Sequence, residues 1–331
     1  MHRFLTLLGV ALLLTVILLQ SNWVADNQHE LSGCHLSQNA AWISVDWTAA
    51  VQSEESIRQL AEEAQKRHLA YLYPYTTYLQ PDGTFNNTYE YAAEFVTQFR
   101  RFNQSTRLLA WIGIPVENSR FLGIRGWVDL DEETERTQIV NFVTQLLQEV
   151  GFDGVHLNVE TVQDGDRGYL NLLDETRQAI GTSSMLSIAS TYWAPAFLNS
   201  LPGVDGFRWT TAYYGEIAAR VDQIVTMTYD SAMPSTALYR IWLKRQISAI
   251  HESVAQSDVE LLVGLSASQE NTFTHRTSVE NMKSGLAGIC AGISGLPSPN
   301  QVKGIAIYAY WERQEADEEE WNSWLDVQAD R

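Results

Sequence analysis

From about residue 40 to residue 312 the chain alternates short apolar runs with longer amphipathic stretches. No other feature narrows the possible folds as much. The apolar runs, each read as a strand, cover 41–47, 70–75, 107–115, 154–159, 185–190, 223–229, 260–266 and 303–310. Helical spacing falls between most of them, over 54–67, 89–102, 132–150, 168–180, 238–254 and 278–289. In 132–150, for example, Ile139, Phe142, Val143, Leu146, Leu147 and Val150 share one helical face. Strands that alternate with helices pair in parallel, and eight in succession can close the sheet on itself. The expected architecture is therefore α/β, a single (β/α)8 TIM barrel over 40–331, with a short closing helix at 315–327. An open doubly wound sheet would more often use fewer strands, and no Gly-rich phosphate loop follows any of these runs.

Ahead of the barrel, His2-Arg3 and an apolar run from Phe4 to Leu19 read as a signal peptide or membrane anchor over 1–25, with a linker over 26–39. The barrel is expected outside the cytoplasm, secreted or membrane-anchored, in the periplasm or at the cell surface. The apolar run is slightly short for a spanning helix unless its flanks help. Ala25 suits the end of a cleaved signal, but Trp23 stands where a small residue belongs. Leu31-Ser32-Gly33-Cys34 spells a lipobox, separated from the apolar run by the polar stretch 20–30. Retention, cleavage and lipidation of Cys34 all stay open. Cys34 and Cys290 are the two cysteines, and they either pair in an oxidising compartment or remain free thiols.

Forty Asp and Glu against 22 Lys and Arg give a net charge of −18. Such a surface repels a phosphate backbone, and no local basic stripe offsets it, so nucleic acid is excluded as a partner. A glycan is compatible with this balance. The membrane is expected to meet only the N-terminal segment.

Barrels of this kind build their sites at the C-terminal ends of the strands. The candidates are Asp46 and Trp47 after the first strand, Tyr73 after the second and Trp111 in the third. Asn158 and Glu160 end the fourth, Trp193 follows the fifth, Tyr229 and Asp230 the sixth, and Trp311 and Glu312 the eighth. Aromatic faces stack on sugar rings, while carboxylates bind hydroxyls and move protons. Taken singly, a Trp at a strand end more often packs than binds. Glu160 stands apart, because a carboxyl that ends a central apolar strand is costly to bury without a role. No His and acidic residues show metal-ligand spacing and no Gly-x-Ser-x-Gly elbow occurs, so neither metal nor cofactor is expected.

At the fourth strand, Phe152-Asp153-Gly154-Val155-His156-Leu157-Asn158-Val159-Glu160 resembles the Asp-Gly-x-Asp-x-Asp-x-Glu signature of glycoside hydrolase family 18, the chitinases and endo-N-acetylglucosaminidase-like relatives. Met227-Thr228-Tyr229-Asp230 matches the family's Met-x-Tyr-Asp on the sixth strand. The resemblance implies substrate-assisted hydrolysis of an N-acetylglucosaminide. Glu160 would be the acid/base, Asn158 the holder of the acetamido group and Tyr229 its partner, with Asp230 beside them. His156 and Asn158 replace two signature Asp residues, Trp111-Ile-Gly-Ile-Pro115 replaces a Ser-x-Gly-Gly, and Tyr308 stands where many members place a core Trp. Two alternatives remain: a glycosidase pairing Glu160 with Asp230 or Asp46, and a silent barrel that binds glycans or a protein partner.

Overall fold

A computed structural model describes residues 34, 36–117, 126–199 and 208–329. The strands are β1 (Asn39–Ile43), β2 (Leu69–Tyr78), β3 (Arg107–Pro115), β4 (Gly154–Glu160), β5 (Met185–Ser190), β6 (Gln223–Thr226), β7 (Glu260–Ser266) and β8 (Val302–Tyr308). All pair in parallel in sequence order, and β8 pairs with β1 through Ala306↔Ala40 and Ile307↔Ala41 to close the barrel. Helices follow the strands as expected, and a further helix, Thr211–Ala218, precedes β6.

Local chemistry sets the element ends. The Ser53 hydroxyl accepts from Ser56 N at the start of helix Glu54–Lys66, and Asp166 accepts from Tyr169 N at the start of Arg167–Ile180. Asn281 and Ser284 form a reciprocal capping box on helix Met282–Ser294. Helix Glu133–Val150 ends on Gly151 at φ 80, a left-handed turn that a Cβ would oppose. Gly154 then lets β4 and β5 approach, since a Cβ there would fall 2.1 Å from the carbonyl oxygen of Met185.

Two apolar layers result. Val155, Leu157 and Val159 of β4 join the cluster between the sheet and the helices, with Leu108, Ala110 and Ile112 of β3. A second cluster fills the barrel interior and is unusually aromatic, with Trp42, Tyr71, Tyr73, Trp111 and Tyr229. Side chains alternate across a strand, so His156, Asn158 and Glu160 all face that interior, stepping toward the mouth.

Several strand ends differ from the sequence expectation: β2 runs on to Tyr78, β8 stops at Tyr308 ahead of a 3-10 turn over Tyr310–Glu312, and the ends of β1 and β6 move site residues. β1 stops at Ile43, and Val45 at φ −61 and ψ −22 turns the chain into a short helix, Asp46–Ala49. Asp46 and Trp47 thus belong to a helix rather than to a strand end. β6 stops at Thr226, and Met227 to Asp230 continue as irregular backbone.

Cys34 and Cys290 form a disulfide that ties the start of the described chain to helix Met282–Ser294. The same sulfur cannot also carry a lipid, so the lipobox expectation for Cys34 is overturned. The signal or anchor over 1–25 lies outside the described residues. Among the described residues no helix is long and apolar enough to cross a membrane. With a sequence separation of 256 between its ends, the crosslink strongly restricts the unfolded chain. Cys34→Ser is expected to lower unfolding stability by about 2–5 kcal/mol, measured by urea denaturation. An unchanged midpoint would show that the bridge does not constrain the unfolded state.

Candidate active site at the C-terminal mouth

His156 is fully buried and its partners define its protonation. Trp42 Nε1, a donor only, gives its hydrogen to His156 Nε2 at 3.0 Å, so the ring proton sits on Nδ1, 2.8 Å from Ser187 Oγ. Ser187 in turn donates to Gln223 Oε1, which also accepts from Tyr73 OH, both at 2.7 Å. Tyr73 stacks on the imidazole with centroids 4.1 Å apart. Burial pushes the ring's pKa down to about 3, so it is neutral at any working pH.

Above this network stands Asn158, whose Oδ1 is buried and has no hydrogen-bond partner among the described residues. A buried acceptor without a donor is costly, and such a group marks where a ligand donor fits. Glu160 comes next on the same face. Part of its surface is open to solvent, yet protein closely surrounds its carboxyl, so the residue's overall exposure understates the carboxyl's desolvation. Burial pushes its pKa up, and the negative charge of Asp230 adds to the rise, while contact with the Asn158 amide opposes it.

Tyr229 closes the other side. Its ring stacks on Tyr308, with centroids 5.1 Å apart and planes at 6°, and it meets Trp42 edge-on at 6.4 Å. Tyr192 OH donates to the carbonyl oxygens of Tyr229 and Asp230, at 2.9 and 2.8 Å, and so holds this irregular segment. Asp230 has a φ of 58, a left-handed conformation that non-glycine residues rarely adopt. Its Oδ1 lies 3.2 Å from Nδ1 of buried His275, which is also 3.5 Å from Oε2 of buried Glu280. The donor atoms of these three lie within 4.8 Å of one another, near enough for one cation. Burial pulls His275 down, but its contacts with Asp230 and Glu280 outweigh this and hold its pKa up to about 9, so a proton supplies the positive charge.

The profile described as glycosyl hydrolases family 18 matches residues 45–326. The chain belongs to this family. A cortical fragment-lytic enzyme of Bacillus subtilis (strain 168) is 29% identical over 185 residues, which are 54% of this chain and 39% of that protein. The chain thus spans well under half the length of this curated relative. The spore cortex-lytic enzyme SleL of Bacillus cereus superposes with a TM-score of 0.58 at 15% identity, covering 88% of this chain and 74% of that one. A chitinase from Chromobacterium violaceum gives 0.59 at 12%, covering 89% of this chain and 100% of that one. At these identities the structural matches show a shared barrel fold.

The mouth brings together Asn158, Glu160, Tyr229 and Asp230, the four residues to which the family resemblance assigns catalytic roles. The outer ring of expected contacts divides. Trp311 is 46% exposed and meets Tyr308 edge-on at 5.8 Å, and Trp111 lies 6.4 Å from the same ring. Glu312 braces the loop after β7, accepting from Ser268 Oγ at 2.9 Å and Gln269 N at 3.0 Å. Tyr73 is sealed in the interior. Trp47 faces the helix layer, 5.5 Å from Phe95, because the turn at Val45 swings it outward. Asp46 is exposed beside it and accepts from Ser44 Oγ at 3.0 Å. Trp193 is half-buried, its indole N–H given to Thr211 Oγ1 at 3.0 Å.

Trp42, His275 and Glu280 were not foreseen, while Tyr192 falls at the expected end of the fifth strand. Trp42 could have been found from the alternation of β1, whereas His275 and Glu280 come from packing that no sequence pattern announces. A cavity of about 970 Å3 opens at the opposite end of the barrel, between Arg107, Asp153, Asp222 and Glu260. Its size does not mark the site, since the family signature ends at the other mouth.

Proposed function

We propose that this chain is an exported glycosidase that cleaves N-acetylglucosamine-containing glycans with help from the substrate's own acetamido group. One observation carries the proposal: a buried, unpartnered Asn158 Oδ1 beside a carboxyl whose proton affinity is raised. Asn158 Oδ1 accepts the acetamido N–H and aims the acetamido oxygen at the anomeric carbon. Protonated Glu160 gives its proton to the glycosidic oxygen as that bond breaks, and the acetamido oxygen bonds to the anomeric carbon. Tyr229 OH steadies that oxygen. Water then attacks the anomeric carbon, passes a proton to Glu160, and restores both the acetamide and the acid.

Glu160 has no ion pair among the described residues, and its open face favours catalysis over a silent barrel. Similar proteins are named for lysis of spore cortex or its fragments, which supports an envelope polymer as the glycan. The disulfide supports an oxidising compartment, and the apolar segment 4–19 is the proposed route of export and of membrane contact.

The test is product release from N-acetylglucosamine oligomers and cell-wall glycans, alongside the same oligomers with the acetyl groups removed. Cleavage of the acetylated set alone is expected. Equal cleavage of both would point to a pair of protein carboxylates, and binding without cleavage to a silent barrel.

The pH dependence follows from Glu160. A general acid acts in its protonated form, so kcat/KM is highest below the raised Glu160 pKa and falls as pH rises through it. The alkaline limb is expected above the ordinary carboxylate range of about 4.3. His156 adds no limb, being neutral throughout. A rate that rises with pH across that range would contradict an acid role for Glu160.

A further inference from the structure

We propose that His275, held by Glu280, is a positioning residue for hydrolysis: its imidazolium fixes the Asp230 carboxylate against the mouth, where that charge acts on Glu160. The role rests on the substrate-assisted assignment above.

Asp230 needs an anchor. Its side chain is 48% exposed, so an unheld carboxylate would turn into water, where screening weakens its effect on a neighbour. Its charge nevertheless contributes to the rise at Glu160. The anchor is built from behind. His275 and Glu280 have side chains only 2% and 1% exposed. Glu280 Oε1 is fixed by Ser231 N at 3.0 Å and Ser231 Oγ at 2.6 Å, directly after Asp230, which leaves Oε2 for the imidazole.

The ring's Nδ1 lies 3.2 Å from Asp230 and 3.5 Å from Glu280, too oblique for a directed hydrogen bond to either. The contact is therefore ionic and shared. Among the described residues Nε2 has no hydrogen-bond partner, so within them these two carboxylates compensate the ring's charge. Ala232 N donates to Thr274 O at 2.8 Å, which locks the His275 loop onto the Asp230 segment.

The surroundings add no competing titration in the working range. Around Asp230 stand Glu160 and the phenols of Tyr192, Tyr229, Tyr239 and Tyr308, with Arg208 beside Tyr192. Burial pushes all four phenols above their ordinary value, so they stay neutral. Glu280, His275 and Asp230 carry further charges in the group, and Glu312 and Glu270 lie on its Tyr308 side.

The experiment compares wild type, Asp230→Asn, His275→Gln and the double variant, with circular dichroism to check folding. Two readouts are taken: the alkaline limb of kcat/KM, and the titration of the Glu160 carboxyl followed by carbon-13 NMR. Asp230→Asn removes a like charge, so the limb and the Glu160 titration move down, by roughly 0.5–1 pH unit. His275→Gln is expected to move both the same way, with kcat/KM reduced about 10-fold, and the double variant to move no further than Asp230→Asn alone.

A merely structural His275 would lower activity at every pH, leave the Glu160 titration in place, and cost activity again in the Asp230→Asn background. That result overturns the proposal, as does an upward shift. A cation found in wild type by elemental analysis and lost from His275→Gln would also overturn it. If wild type cleaves no N-acetylglucosaminide, the functional assignment fails, and the carboxyl titration still decides whether His275 positions Asp230.

Discussion

Glu160→Gln is expected to lower kcat on an N-acetylglucosamine oligomer by roughly 10²–10⁴-fold, the range over which a positioned acid acts. KM should change little, because the amide keeps the shape of the carboxyl and can still meet the glycosidic oxygen. What it lacks is a proton to give. Burial, and then the charge of Asp230, strengthen the carboxyl's hold on its proton, and the Asn158 contact only partly offsets them. The check is initial-rate kinetics with wild type and variant side by side, both confirmed folded. A variant within 10-fold of wild type would remove Glu160 from the chemistry. A substrate with a good leaving group makes the test sharper. Its aglycone needs no proton to depart, so the first step of the variant should recover while cleavage of natural glycans stays low.

The barrel was legible because its signal repeats. Eight apolar runs separated by helical stretches leave few closed arrangements, and errors at single boundaries do not change the closure. β4 was legible for a second reason. Its period-two alternation sends Val155, Leu157 and Val159 to the helices and His156, Asn158 and Glu160 inward, so one strand carries three residues of the central stack. Asp46 and Trp47 were less readable. The apolar run continues past Ile43, and only the backbone turn at Val45 shows that Trp47 packs against Phe95 instead of lining the mouth. The partner of Asp230 was hidden altogether. His275 and Glu280 lie in a long connection after β7, 45 and 50 residues from Asp230, and their meeting depends on loop packing.

Asn158 tests whether the departures from the family signature still leave a working site. Asn158→Ala deletes the acceptor for the acetamido N–H and is expected to reduce kcat by roughly 10²–10³-fold, the usual cost of losing one preorganised hydrogen bond in a site. Asn158→Asp asks a different question. Asn offers an acceptor to the substrate and an amide donor toward Glu160, whereas an ionised Asp offers only acceptors. The new charge would stabilise the cationic ring formed when the acetamido oxygen attacks, and would push the Glu160 pKa further up by like-charge repulsion. Below that higher limb, Asn158→Asp should turn over at least as fast as wild type, and its alkaline limb should move up by about one unit. His156 cannot absorb the added charge, because burial holds it neutral between Trp42 and Ser187. If Asn158→Asp is as inactive as Asn158→Ala, the donor half of the amide is what matters. The main task of Asn158 would then be to hold Glu160 rather than the substrate.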